Sequence, residues 1–473
     1  MPTTGATAPL WALVLALVHA LVPASAGVDG VVRGTLAVGA LLHLAVIAVI
    51  GDAAARITRS ENAAAVGGLL VALATPFALA AFSGMEVGLA ALTLSLGVRA
   101  LIQGHPGRAG IWLGLAGAAR PESAAVILVG LLWALREVTP SLRPRTAARF
   151  LAGPLLVGAA FVGYDLWASG AALPAAFYAK SSGSLLSLPG RIGRAVGGIF
   201  VQVPPFAAGL GWLALLGLIP RISGRLPAPT SRMQLLLPAL GGTAFVLANV
   251  ALIDPRDPAA FYHVRYLLPA VPLLLLALTG GAWAMGLRFV AGPRAVPAWT
   301  PLAVLLGIAV IAGGAGASTA SRHFHNDVRN VNEVQRLLGE RLRESLPAGT
   351  RIATSDAGAV RYFSNLPTID VTGLNTPEMR APSAEFLQRH PVAAIVLLPA
   401  WYRSPDADRL QEMFRAITAD YTVTSDERMA AQVVLGVRAP DDGRTDPVRI
   451  RFVGFHSFAL DFVPPAAPPG NAR

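Results

Sequence analysis

Ten apolar stretches, each long enough to cross a bilayer, fill the first two-thirds of this sequence. They lie near 9–26, 31–51, 62–82, 85–102, 109–136, 149–170, 195–220, 232–253, 265–288 and 299–318. About 20 apolar residues suffice for one crossing, so a water-soluble globule is excluded. Only 14% of the residues are charged, against about 25% in soluble domains. The 109–136 stretch is broken by Arg120-Pro121-Glu122. Two charges and a proline in mid-bilayer are costly, so the stretch is expected to split into two short or tilted segments meeting at a polar surface. The expectation is a polytopic α-helical membrane protein with about eleven membrane segments.

The character changes near residue 319. Residues 1–318 hold 20 Lys+Arg against 9 Asp+Glu, a net +11, whereas 319–473 hold 18 of each. The sequence therefore divides into a multi-helix membrane domain over 1–318, a soluble α/β domain over 319–461, and a disordered tail over 462–473 carrying Pro464-Pro465-Ala466-Ala467-Pro468-Pro469. Within the second region a polar helix fits 326–346. Strands fit 350–354, 367–371, 393–398 and 432–438.

Arginine counting sets the orientation. The connections at 52–60, 103–108, 136–149, 221–232 and 288–294 are basic and belong in the cytoplasm. Those at 83–87, 119–123, 168–194 and 254–265 then face outside, and so does the C-terminal domain. The expected location is a bacterial cytoplasmic (inner) membrane, crossed many times. Because the charge excess sits on the apolar part, it reads as topology-setting loops and not as a nucleic-acid surface. Residues 10–22 with Ala24-Ser25-Ala26 resemble a secretory signal, but the first cation is Arg33, so a retained membrane segment is expected.

No cysteine is present, which excludes disulfides, thiolate metal sites and cysteine nucleophiles. The histidines lack metal-ligand spacing, and there is no phosphate-cradling glycine loop or serine-nucleophile elbow. What remains is a small set of charges in the membrane region. Asp52, Glu61 and Glu137 lie beside cytoplasmic arginines and read as solvated. Ser83-Gly84-Met85-Glu86 and Arg120-Pro121-Glu122 interrupt apolar runs at corresponding external ends. Their convergence would make a polar pocket of carboxylates and guanidinium groups at the outer leaflet, a pocket suited to a lipid-linked phosphate. The alternative is that Arg120 and Glu122 pair with each other and merely hold the helix break. Tyr262-His263-Val264-Arg265-Tyr266 opens another apolar segment. Either it is an aromatic belt with a snorkelling Arg, or Arg265, with His263, contacts the lipid phosphate. Lys180, beside Tyr178 in the long external loop, is either a solvated cation or a cover for that phosphate.

The segments SGMEVGLAALTL, GIWLGLAGAARPES, AAFYAKSSG, YHVRYLLPAVPLLLL and TSDAGAVRYFSNLPTIDVTGL, in this order, resemble bacterial C-type glycosyltransferases. The nearest group is the arabinofuranosyltransferase-like and mannosyltransferase-like membrane enzymes, over about residues 6–375. The resemblance implies a polyprenyl-phosphate-linked sugar donor, inverting transfer to an extracytoplasmic glycan or protein acceptor, and a divalent cation (Mg, Mn or Ca). Its landmarks fall on Gly84, Met85 and Glu86; on Arg120, Pro121 and Glu122; on Tyr178, Ala179 and Lys180; on Arg265; and on Asp356, Ala357, Gly358, Asp370, Gly373 and Leu374. Taken with the charges themselves, the expectation is donor-phosphate binding by Arg120, Lys180, His263 and Arg265. Glu86, Glu122 and Tyr178 are expected in the substrate pocket, with Glu86 and Glu122 as candidate metal ligands.

Such enzymes begin with a further helix and an external acidic loop that supplies the catalytic base, and no Asp or Glu precedes Asp29 here. Three expectations stand open: a start assigned too late, an acid from a partner transferase chain, or a non-catalytic relative that binds lipid-linked sugar. Glu86 is the fallback base. A transporter is disfavoured by the large C-terminal domain and by the lack of paired interrupted segments in two similar halves.

Overall fold

The computed structural model describes residues 8–174, 189–190, 232–252, 265–290, 297, 299–354, 357–371, 373–380, 386, 389–390, 392, 394–397, 434–438, 445–452 and 458–462. The chain forms two compact units. One comprises Ala6–Trp167 and Ser181–Ser321; the other comprises Met1–Gly5, Ala168–Lys180 and Arg322–Arg473.

The first unit is helical: α1 (Pro9–Leu21), α2 (Gly27–Thr58), α3 (Glu61–Leu73), α4 (Thr75–Phe82), α5 (Val87–Ile102), α6 (Pro106–Ala119), α7 (Ala124–Arg136), α8 (Arg143–Ser169), α9 (Arg232–Leu252), α10 (Val271–Val290) and α11 (Thr300–Asn330). Among the described residues, five helical stretches are long and apolar enough to cross a membrane: Ala24–Thr58, Pro140–Ser169, Gln234–Ala251, Leu268–Leu287 and Thr300–Ser318. A sixth is counted if α3 and α4 form one bent span. Their outer faces carry Leu41, Leu44, Leu155, Leu156 and Ile311 as exposed side chains. So many exposed large apolar side chains suit lipid and not water. The apolar stretch at 195–220 lies outside the described residues.

Prolines shape two of the apolar stretches. The stretch at 62–82 is not one straight segment. It bends by 64° between α3 and α4 at Ala74, whose backbone leaves the helical region (φ −73°, ψ 72°), and Pro76 then falls in the first turn of α4, where its missing N–H is tolerated. The stretch at 109–136 does split, into α6 and α7, with a short 3-10 turn at Pro121–Ser123 between them. α11 runs through residue 318 and ends at Asn330.

Glycine decides how closely two of these helices approach. A Cβ at Gly110 on α6 would collide with the Phe150 carbonyl of α8, and one at Gly153 would collide with the Gly110 backbone. The paired glycines let the two backbones touch, the usual device where helices pack inside a membrane. At the helix ends opposite the polar turns described below, Asp52 of α2 accepts from Arg56 at 2.7 Å and also pairs with Arg99 of α5.

The second unit contains α12 (Leu337–Ser345), α13 (Ala359–Ser364) and a six-stranded sheet: β1 (Ile352–Thr354), β2 (Thr368–Asp370), β3 (Ala394–Leu397), β4 (Val434–Arg438), β5 (Thr445–Phe452) and β6 (Phe458–Phe462). The order is β2-β1-β3-β4-β5-β6. β1 pairs in parallel with β2 and β3, and the remaining pairs are antiparallel. The first four strands match those read from sequence; β5 and β6 are additional. Residues beyond Phe462, where a tail is expected, lie outside the described residues.

Candidate functional site

The site begins with a proline. Pro121 removes a backbone donor and forces Arg120 out of the helical region. Arg120 is accordingly extended (φ −152°, ψ 115°) and ends α6. The chain then makes the turn Pro121–Ser123 and starts α7. Arg120 thus lies at a helix C-terminus, and Glu122 lies just before a helix N-terminus. Both placements suit the helix dipole.

A second turn arrives from α4. Gly84 has φ +77°, a conformation that L side chains rarely adopt, and it directs the chain so that Glu86 stands at the start of α5. The indole N–H of Trp11, on α1, donates to the Gly84 carbonyl at 2.9 Å. Trp11 is itself buried, so the turn is pinned by a donor 73 positions away in sequence.

These turns bring opposite charges together. Arg120 Nη2 lies 2.7 Å from Glu86 Oε1, and Nη1 lies 3.9 Å from Glu122 Oε1. The side chains of Arg120, Glu122 and Glu86 are 4%, 9% and 12% exposed. The Nη2 contact is a charge pair without an aligned N–H···O, since Nη2 makes no hydrogen bond. The nearer partner of Arg120 is therefore the distant Glu86, not the neighbouring Glu122.

The chain before α10 completes the cluster. The Tyr266 ring lies 4.5 Å from the Arg120 guanidinium carbon and 5.0 Å from that of Arg265. Arg265 donates to Met85 Sδ at 3.8 Å and to Tyr266 Oη at 3.3 Å. Among the described residues no carboxylate lies within ion-pair distance of Arg265. Stacking on an aromatic face favours each guanidinium and holds two like charges apart. Glu86, Arg120, Glu122 and Arg265 thus share one neighbourhood. Tyr266 is a site residue that the sequence reading passed over. Its signal was available: an aromatic beside Arg265 at the start of an apolar run.

Several buried polar atoms here have no partner: Arg120 Nε, Arg265 Nε, Glu122 Oε2 and Ser123 Oγ. Buried polar groups are nearly always paired. A cluster of orphans at one point therefore marks hydrogen-bonding capacity held for something else. The donors suit the oxygens of a phosphate group.

Tyr178, Lys180 and His263 lie outside the described residues. So does Asp356 of the resemblance. Asp370 is described and has a structural part. Its carboxylate accepts from the Asn375 backbone at 2.9 Å and from the Asn375 side chain at 3.0 Å, closing the loop after β2.

The expectation of a divalent cation on Glu86 and Glu122 meets a difficulty. Both carboxylates lie against the Arg120 guanidinium. Among the described residues no group of three or more His, Cys, Asp or Glu side chains is arranged to hold a metal. A divalent cation between these acids would stand against a buried guanidinium, and repulsion at such range in a poorly solvated site is large. As they stand, the described residues do not fit a metal, and no step is derived through one.

A family of sequences described as a domain of unknown function, DUF8728, matches residues 326–445. No curated protein matches the chain. Among solved structures, the chain is similar to the crystal structure of ArnT from Cupriavidus metallidurans bound to undecaprenyl phosphate. The identity is 15%, the TM-score is 0.48, and the match covers 85% of this chain and 83% of that one.

Proposed function

We propose that this protein is an integral-membrane glycosyltransferase of the C-type. In this reading it moves a sugar from a polyprenyl-phosphate donor to an extracytoplasmic glycan or protein acceptor, in a bacterial inner membrane. The observation that carries it is the convergence of Arg120 and Arg265, each with an unpartnered buried Nε, on Tyr266 beside Glu86 and Glu122. Guanidinium groups with spare buried donors are the recognition chemistry of a phosphate.

In the reaction an acceptor hydroxyl loses its proton to a base. Its oxygen bonds to the anomeric carbon from the face opposite the phosphate, and the bond from that carbon to the phosphate oxygen breaks. The configuration inverts. Arg120 and Arg265 take up the charge that grows on the departing polyprenyl phosphate, which is where preorganised donors lower a barrier most. Glu86 and Glu122 keep the empty site close to neutral.

One observation favours a second reading, a non-catalytic relative that binds lipid-linked sugar and assists a partner transferase. Both carboxylates of the cluster face Arg120. Glu86 and Glu122 are thus engaged in holding Arg120 in the cluster. The assay that separates the readings uses the purified full chain in lipid nanodiscs with radiolabelled polyprenyl-phosphoryl mannose or arabinose. Label transferred to a soluble acceptor glycan supports the enzyme. Saturable binding without turnover supports the assisting role, and absence of binding refutes both.

A further inference from the structure

The unpartnered groups are not all of one kind. Arg120 and Arg265 offer donors, whereas Glu122 Oε2 is an acceptor. Ser123, next to it, is fully buried, and its hydroxyl has no partner. A further buried acceptor belongs to α9. Asn249 is 1% exposed, its Nδ2 donates to the Phe245 carbonyl at 3.1 Å, and its Oδ1 receives nothing.

The helix packing brings Asn249 toward the same end of the unit. Tyr266 touches Arg120, so α10 and α7 begin at the same end of the unit. α9 runs antiparallel to α10: the Gly242 position faces Ala270 and Leu274, while Leu235 faces Gly280. α9 also packs on Pro121–Ser123, and Gly241 faces Val126 of α7. Moving from Gly242 toward the C-terminus of α9 therefore leads toward the turn that holds Arg120. Asn249 comes two turns beyond Gly242 on the same face, an advance of about 10 Å.

We infer that Glu122, Ser123 and Asn249 form a sugar-hydroxyl subsite next to the phosphate-binding arginines. A glycosyl phosphate has two unlike halves: phosphate oxygens only accept, whereas sugar hydroxyls also donate. The site divides in the same way, with unpartnered donors on Arg120 and Arg265 and unpartnered acceptors on Glu122 and Asn249. Ser123 can serve in either sense. A site built with buried acceptors rejects a ligand that leaves them empty, so these residues select the glycosylated lipid over the bare one. This inference rests on the donor proposed above.

The test measures binding of undecaprenyl phosphate and of its mannosyl and arabinosyl esters to the full chain in nanodiscs. The wild type should bind at least one glycosylated lipid about tenfold more tightly than undecaprenyl phosphate, the worth of one or two hydrogen bonds. Asn249→Leu and Ser123→Ala should each abolish that preference, and Asn249→Leu should leave undecaprenyl phosphate binding within about twofold; Asn249→Asp, which keeps an acceptor, should retain it. If Asn249→Leu does not fold, Ser123→Ala and Asn249→Asp carry the comparison. Equal affinity for bare and glycosylated lipids in the wild type overturns the subsite while sparing the phosphate site. A preference that survives both substitutions also overturns it. Failure of the wild type to bind undecaprenyl phosphate at all refutes the donor reading and this inference with it.

Discussion

Replacing Arg120 with methionine tests the cluster as a physical object, independently of any ligand. The substitution keeps bulk and removes the charge. At 2.7 Å and an effective dielectric of about 20, the gross attraction between Arg120 and Glu86 is about 6 kcal/mol; the contact with Glu122 at 3.9 Å adds about 4 kcal/mol. Desolvation of three buried groups consumes most of this. The net cost of removing one member of a buried pair is about 3–5 kcal/mol, because the abandoned charge stays buried. Here two carboxylates are abandoned together. R120M should therefore lose about 3–5 kcal/mol of stability, measured by denaturant unfolding in detergent micelles. The cycle with Glu86→Gln is the sharper part. E86Q alone should destabilise, since it leaves Arg120 with only the longer contact. Added to R120M, it should instead recover about 2 kcal/mol by removing one stranded charge, a coupling of the size contacting residues show. If E86Q destabilises equally in both backgrounds, the two side chains do not interact and the site as described is wrong.

Two further outcomes follow from the packing around the site. Trp11→Phe removes the indole donor to the Gly84 carbonyl and should cost about 1–2 kcal/mol, read as a lowered unfolding midpoint in micelles; an unchanged midpoint would mean that the turn is not pinned by α1. Gly110→Ala pushes a methyl group into the Phe150 carbonyl and should destabilise by about 2 kcal/mol or more, whereas Gly158→Ala, which meets nothing, should be neutral or slightly stabilising; equal effects in the same assay would refute the close approach of α6 and α8.

The sequence made the charged half of the site legible, because a charge inside an apolar run stands out against its cost. Glu86, Arg120, Glu122 and Arg265 were each visible for that reason, and Pro121 fixed where α6 ends. Pairing was not legible. Adjacency favoured Glu122 as the partner of Arg120, and only the close packing of α5 against α6 reveals Glu86. Uncharged polar residues were still harder to see. Ser123 ends the short turn before α7 and Asn249 lies within α9, and their buried, unpartnered atoms depend on how other helices pack over them. In the second unit, β5 carries Val448, Ile450 and Phe452 alternating with Arg449 and Arg451. That is a strand period, masked by Pro447 and by the proline-rich segment that follows β6.

The central claim is that two guanidinium groups grip a lipid phosphate. It is tested most directly by titrating the full chain in nanodiscs with undecaprenyl phosphate and comparing wild type with Arg265→Ala, chosen because Arg265 carries no ion pair among the described residues. Arg265→Ala should lose roughly tenfold or more in affinity, the worth of a hydrogen bond to a charged group, with its unfolding midpoint close to that of the wild type. Affinity unchanged from wild type in a folded Arg265→Ala protein would contradict the account.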